Sequence, residues 1–106
     1  ATPVVATAGG RSIVITNSPN HIRAHDLQTG KELWRLADGT QVKVPTPVLA
    51  GSNVIVTGGY APSSRPTWAI PLSASGTITA DRLAWTIERG SSYTSTPLVH
   101  DGLLYM

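Results

Sequence analysis

The chain has 106 residues, 41% hydrophobic and only 13% charged, enough for a modest core but well below the roughly 25% charge usual in soluble domains. Its net charge of +2 comes from eight scattered Lys and Arg residues against six acids, with no basic tract of the kind that nucleic-acid binders concentrate on one face. No stretch approaches the ~20 consecutive apolar residues of a membrane helix, and the lack of cysteine excludes disulfides, thiolate zinc sites and Cys nucleophiles within these residues.

Ten glycines and eight prolines, with many Ser and Thr, suit short strands joined by turns. A strand is predicted at Pro3–Val5, opening on a proline that loses no important ladder bond there. The Gly9-Gly10 loop leads to a β-branched run, Ser12–Thr16, and Asn17–Asn20 is a turn cluster. His21–Asp26 alternates, with Ile22 and Ala24 on one side and His21, Arg23 and His25 on the other, which reads as a half-buried strand. Asp26-Leu27-Gln28-Thr29-Gly30-Lys31 is a turn signal: the Asp side chain accepts backbone N–H groups two or three residues on, and glycine takes the left-handed conformation. Leu33–Leu36 is the returning strand, with Trp34 and Leu36 on one face.

The same order returns. Thr46–Leu49 opens a second unit, Gly51-Ser52 turns, and Asn53–Thr57 and Thr67–Ile70 are the next strands. The last strand, Arg82–Ile87, is expected to place Leu83, Trp85 and Ile87 together, after a longer hairpin loop over Pro71–Asp81. A third unit opens at Thr96–Val99 and stops at Leu103–Met106. Pro3, Pro47 and Pro97 stand 44 and 50 residues apart, and Trp34 and Trp85 are 51 apart. Four short strands per ~45-residue unit describe a β-propeller blade, and no segment carries the helical apolar period. The expected fold is all-β, with four-stranded antiparallel blades over about 1–44 and 45–94 and the start of a third over 95–106. Because the chain opens within a repeat and stops within a strand, it is expected to be a fragment.

Ala24-x-Asp26-x-x-x-Gly30-Lys31-x-x-Trp34 resembles the pyrroloquinoline-quinone-type (PQQ-type) β-propeller repeat, whose hallmark is A-x-D-x-x-x-G-K-x-x-W. The Thr-Pro-Val-Val openings also suit that family. In the second copy Ala69 and Trp85 match, whereas Pro71 stands in place of the Asp and a longer loop replaces the Gly-Lys turn. The resemblance implies one propeller domain of seven or eight blades, with the rest of the ring needed for closure. It gives Ala24, Asp26, Gly30, Lys31, Trp34, Ala69 and Trp85 structural blade-docking roles, the tryptophans stacking between blades. It also implies a periplasmic or otherwise extracytoplasmic location.

Family members include quinoprotein dehydrogenases, which hold the quinone with a calcium or lanthanide ion, a catalytic Asp and often adjacent cysteines, and many propellers with no cofactor. None of those cofactor residues carries over here. Asp26, Asp38 and Asp101 read as turn residues, and no two carboxylates have a spacing that pairs them for acid–base work. His21 and His25 on one strand lie ~13 Å apart at ~3.3 Å per residue, too far for one metal. Gly90–Ser95 fits neither G-x-S-x-G nor the phosphate loop, and with Asp38–Val44 it reads as a connection between units on the face where propellers usually bind. Lys43, Arg89, Ser92 and Tyr93 are the candidate face-binding residues, and the stretches Tyr60–Pro66 and Pro71–Asp81 are further places for specificity. The expected function is a non-catalytic extracytoplasmic binding and assembly scaffold for protein partners, similar in kind to the propeller lipoprotein of the bacterial outer-membrane β-barrel assembly machinery. The alternative is a quinoprotein alcohol or sugar dehydrogenase using PQQ with calcium.

Overall fold

The computed structural model describes residues 1–59 and 65–106. Of the stretch Tyr60–Pro66 singled out for specificity, only Arg65 and Pro66 fall among the described residues. Among the described residues eleven strands run in chain order: β1 (Val4–Ala8), β2 (Arg11–Ser18), β3 (His21–Asp26), β4 (Glu32–Ala37), β5 (Val48–Ala50), β6 (Asn53–Thr57), β7 (Thr67–Pro71), β8 (Gly76–Thr77), β9 (Trp85–Ile87), β10 (Leu98–His100) and β11 (Leu103–Tyr105). A 3-10 turn covers Ala80–Arg82. The chain is therefore all-β among its described residues, as the composition and alternation predict.

Two antiparallel meanders carry the architecture, β1-β2-β3-β4 and β5-β6-β7-β9, followed by the hairpin β10-β11. Their registers repeat. In the first meander Val4 lies opposite Ile15, Ile15 opposite Ala24, and Ala24 opposite Trp34. In the second, Val48 lies opposite Ile55, Ile55 opposite Ala69, and Ala69 opposite Trp85. The hairpin starts a third such row with Leu98 opposite Tyr105. The alanine of each row is dictated by its neighbours: a small side chain beside an indole leaves room for the ring in a close-packed interior.

Period-two alternation decides the faces. Ile13, Ile15, Ile22, Ala24, Trp34 and Leu36 point to one side of the first sheet and are buried. They join Val54, Val56, Trp68 and Ile70 of the second sheet in one hydrophobic cluster. The loop after β3 forms as its sequence predicts: Gly30 is left-handed at φ 76, and the Asp26 carboxylate accepts the N–H groups of Gln28 at 2.9 Å and Thr29 at 3.0 Å. Those bonds pull Asp26 below the ordinary aspartate pKa.

The last strand of the second meander departs from the expectation. It covers only Trp85–Ile87, because Ala80–Arg82 coils into the 3-10 turn and Ala84 N–H reaches the Ala69 carbonyl at 2.9 Å. The long loop is not a bare excursion either. Within it β8 adds in parallel to the outer edge of β4, pairing Gly76 with Trp34 and Thr77 with Arg35, and Ile78 N–H donates to the Arg35 carbonyl at 2.8 Å. Ile78 is buried in the shared cluster, with Leu72 and Ala74 packed against it. Its truncation, Ile78→Ala, is expected to cost about 2–5 kcal/mol in denaturant unfolding, the range for a buried aliphatic side chain. An unchanged midpoint would show that the loop docks without stabilising.

Candidate functional site

The connection from β4 to β5 carries the densest polar packing. Asp38 sits at its start, where its Oδ1 accepts the Thr40 N–H at 2.8 Å and the Thr40 hydroxyl at 2.6 Å. Lys43 Nζ donates to Asp38 Oδ2 at 2.7 Å and to Asn17 Oδ1 at 3.0 Å. The Asn17 amide in turn donates to the carbonyls of Pro45 at 3.1 Å and Thr57 at 3.0 Å. The ammonium also stands 5.3 Å from the centroid of the Trp68 ring, a cation–π contact. One lysine thus ties β2, the connection and the second sheet together.

Lys43, a candidate face-binding residue on the sequence, is buried in this placement. Its side chain is 1% exposed and that of Asp38 is 0% exposed, so the charge is spent inside the protein. Burial, the largest influence, lowers the Lys43 pKa from its ordinary value, while the bond and charge of Asp38 act in the opposite direction. Gly58 makes room for the aliphatic stem: a Cβ there would stand 2.9 Å from both Lys43 Cδ and Thr40 Oγ1. Sequence reasoning missed Asn17 and Trp68, which receive the lysine together with Asp38. Their role depends on strands brought together from distant parts of the chain.

The other candidates are more open. Arg89 is exposed and lines a cleft of about 400 Å³ with Asp38, Trp68, Leu83, Thr86 and Glu88. Ser92 is half-buried and Tyr93 is exposed; both lie further along the connection, outside that lining. Ser91 is buried, its N–H bound to the Arg65 carbonyl at 3.1 Å and its hydroxyl in close contact with that of Thr67. The structure therefore brings Arg89 to the same cleft as the partner of Lys43, but does not gather all four residues.

The row tryptophans differ. Trp34 is 1% exposed and borders a cleft of about 300 Å³ with Arg11, Ile13, Leu72 and Ala74. Its indole N–H has no acceptor among the described residues. Trp85 is 40% exposed and faces a cleft of about 420 Å³ shared with Ile55, Val99, Leu103 and Leu104. Of the remaining motif residues, Ala24 and Ala69 are fully buried, Asp26 and Gly30 form the turn, and Lys31 is exposed.

Asp26, Glu32 and Asp38 are engaged within the chain and do not fit a quinone-associated calcium or lanthanide ion. Asp38 is held by Thr40 and Lys43, and Asp26 accepts two backbone N–H groups on Oδ1 while its Oδ2 stands 3.8 Å from Arg11. Glu32 is shared between Arg35 at 2.9 Å and Arg23 at 3.4 Å. Among the described residues no three His, Asp or Glu side chains are grouped as a metal would require, and no helix is long and apolar enough to cross a membrane. The fold and site define an all-β protein of repeated antiparallel meanders joined by a buried polar lock. A scan of the sequence against protein-family models finds no match, and a search of curated proteins finds none either.

Proposed function

We propose that this chain is a stretch of a PQQ-like β-propeller, two blades and the opening of a third, that works as an extracytoplasmic binding and assembly scaffold for protein partners. The observation that carries the reading is the repeated cross-strand row, Val4–Ile15–Ala24–Trp34 and Val48–Ile55–Ala69–Trp85. In the first row the A-x-D-x-x-x-G-K-x-x-W spacing puts Ala24 opposite Trp34 across a tight turn, and the second row reaches the matching pairing of Ala69 with Trp85 across the longer loop. Each meander is then a four-stranded unit that covers its neighbour, as repeat architectures require.

The non-catalytic part of the reading rests on how the ionisable side chains are used. Asp38 and Lys43 lock the first meander to the second, Asp26 shapes a turn, and Glu32 braces two arginines. The expected result is that the purified protein, given PQQ and calcium, shows no quinone-dependent dye reduction with alcohols or sugars, and that it fractionates outside the cytoplasm. Calcium-dependent dye reduction would replace the scaffold with a quinoprotein dehydrogenase. A cytoplasmic location would remove the extracytoplasmic role.

A further inference from the structure

We propose that Asp101-Gly102 is a site of spontaneous isoaspartate formation, and that the fold protects the chain's other Asp-Gly pair, Asp38-Gly39, from the same reaction. The chemistry needs nothing beyond the chain and water. The Gly102 amide nitrogen attacks Cγ of the protonated Asp101 carboxyl; a C–N bond forms, the C–OH bond breaks, and the hydroxyl leaves with the amide proton as water. The five-membered imide then takes up one water at either carbonyl. Opening at the α-carbonyl moves the main-chain link to the β-carboxyl, with no net change in mass. Glycine is the favourable successor because it has no side chain to hinder the attack, and a Cβ placed at Gly102 would meet nothing within 4 Å.

Geometry separates the two pairs. Asp101 stands at the tip of the β10-β11 turn with its side chain 84% exposed, and its one ionic neighbour among the described residues is His100, whose Nε2 lies 3.2 Å from Oδ2. It is held at φ 50, a left-handed conformation that non-glycine residues adopt at a cost. Only three residue pairs close the hairpin, and Leu98, Leu103 and Tyr105 within it are exposed. Short pairing with little burial opens readily. Asp38 has the opposite setting: both carboxylate oxygens are bound, by Thr40 and by the buried Lys43 ammonium. Cγ of Asp38 cannot turn toward the Gly39 nitrogen until those bonds break.

The product would lengthen the main chain by one carbon at the turn. Leu98 would then no longer face Tyr105, nor Val99 face Leu104, and the third row would lose its register.

The test uses the intact chain at neutral pH and 37 °C, sampled over weeks, then digested with trypsin. Residues 36–43 and 90–106 are released as separate peptides, each with a single aspartate. Labelling by an isoaspartyl methyltransferase, together with a mass-silent chromatographic shift, is expected in 90–106. It should accumulate at least about tenfold faster there than in 36–43, since releasing even one charge-assisted hydrogen bond of Asp38 is worth that factor. Asp101→Glu, whose ring closure is slower, should abolish the label. Equal rates in the two peptides would overturn the proposal. So would a rate at Asp101 tenfold below that of a free peptide spanning 96–106, because the turn would then be protective.

Discussion

Replacing Trp34 with alanine is expected to lower stability by about 3–5 kcal/mol, the cost of removing a buried aromatic side chain. The ring is 1% exposed, packs in the cluster shared by both sheets, and is flanked by Ala24 across the ladder and by β8 along its own edge. Its indole N–H has no acceptor among the described residues, so the loss is one of packing rather than of a hydrogen bond. Trp85→Ala is the control. It occupies the matching place in the second row but is 40% exposed, and its truncation should cost less in proportion to the smaller buried area. Denaturant unfolding of the two variants side by side checks both expectations. Equal losses would show that the second row is as enclosed as the first.

The second large effect belongs to Lys43. Lys43→Met keeps an unbranched stem of nearly the same length but leaves the Asp38 carboxylate buried without its counter-ion, and should cost about 3–5 kcal/mol at neutral pH. Asp38→Asn combined with Lys43→Met should lose less than the sum of the single changes, because no unpaired charge remains. The pH dependence has a definite sign. Burial holds the folded-state pKa of Lys43 below its ordinary value of 10.5. Between the lowered value and 10.5 the unfolded chain binds more protons than the folded one, so the contribution of this group to stability rises with pH across that window. Subtracting the Lys43→Met curve from that of the parent should expose this rise. A flat difference would mean that Asp38 compensates the burial in full.

Much of the fold could be read from local pattern. Alternation at His21–Asp26 separates Ile22 and Ala24 from His21, Arg23 and His25, and the structure buries the first pair while leaving the others half-exposed. The Asp26–Gly30 turn follows from side-chain chemistry contained within five residues. Three things were not legible, each for a reason of distance. Nothing in Gly76-Thr77 marks a strand, since its only partner is an edge supplied by Trp34 and Arg35. Lys43 looks like a surface cation until Asn17 and Trp68, from distant strands, converge with Asp38 of its own connection on the ammonium. Trp68 alternates like any strand residue, and its contact with a buried ammonium appears only when the sheets meet. Of the candidate binding residues, Arg89 and Tyr93 have the exposure that their polar connection suggested, whereas Lys43 became part of the interior.

The parallel addition of β8 has a consequence for the order in which the chain can assemble. β1 to β4 are joined by turns of a few residues, so the first sheet can zip from its own hairpins at little loop-closure cost. Its outer edge, however, is completed only by residues more than forty positions further on. Gly76 and Thr77 find their partners only if Trp34 and Arg35 already stand in the correct phase, because a slip of one residue would turn Trp34 outward and offer the incoming strand the wrong face. A first sheet in that slipped phase would keep an open outer edge instead of a finished one.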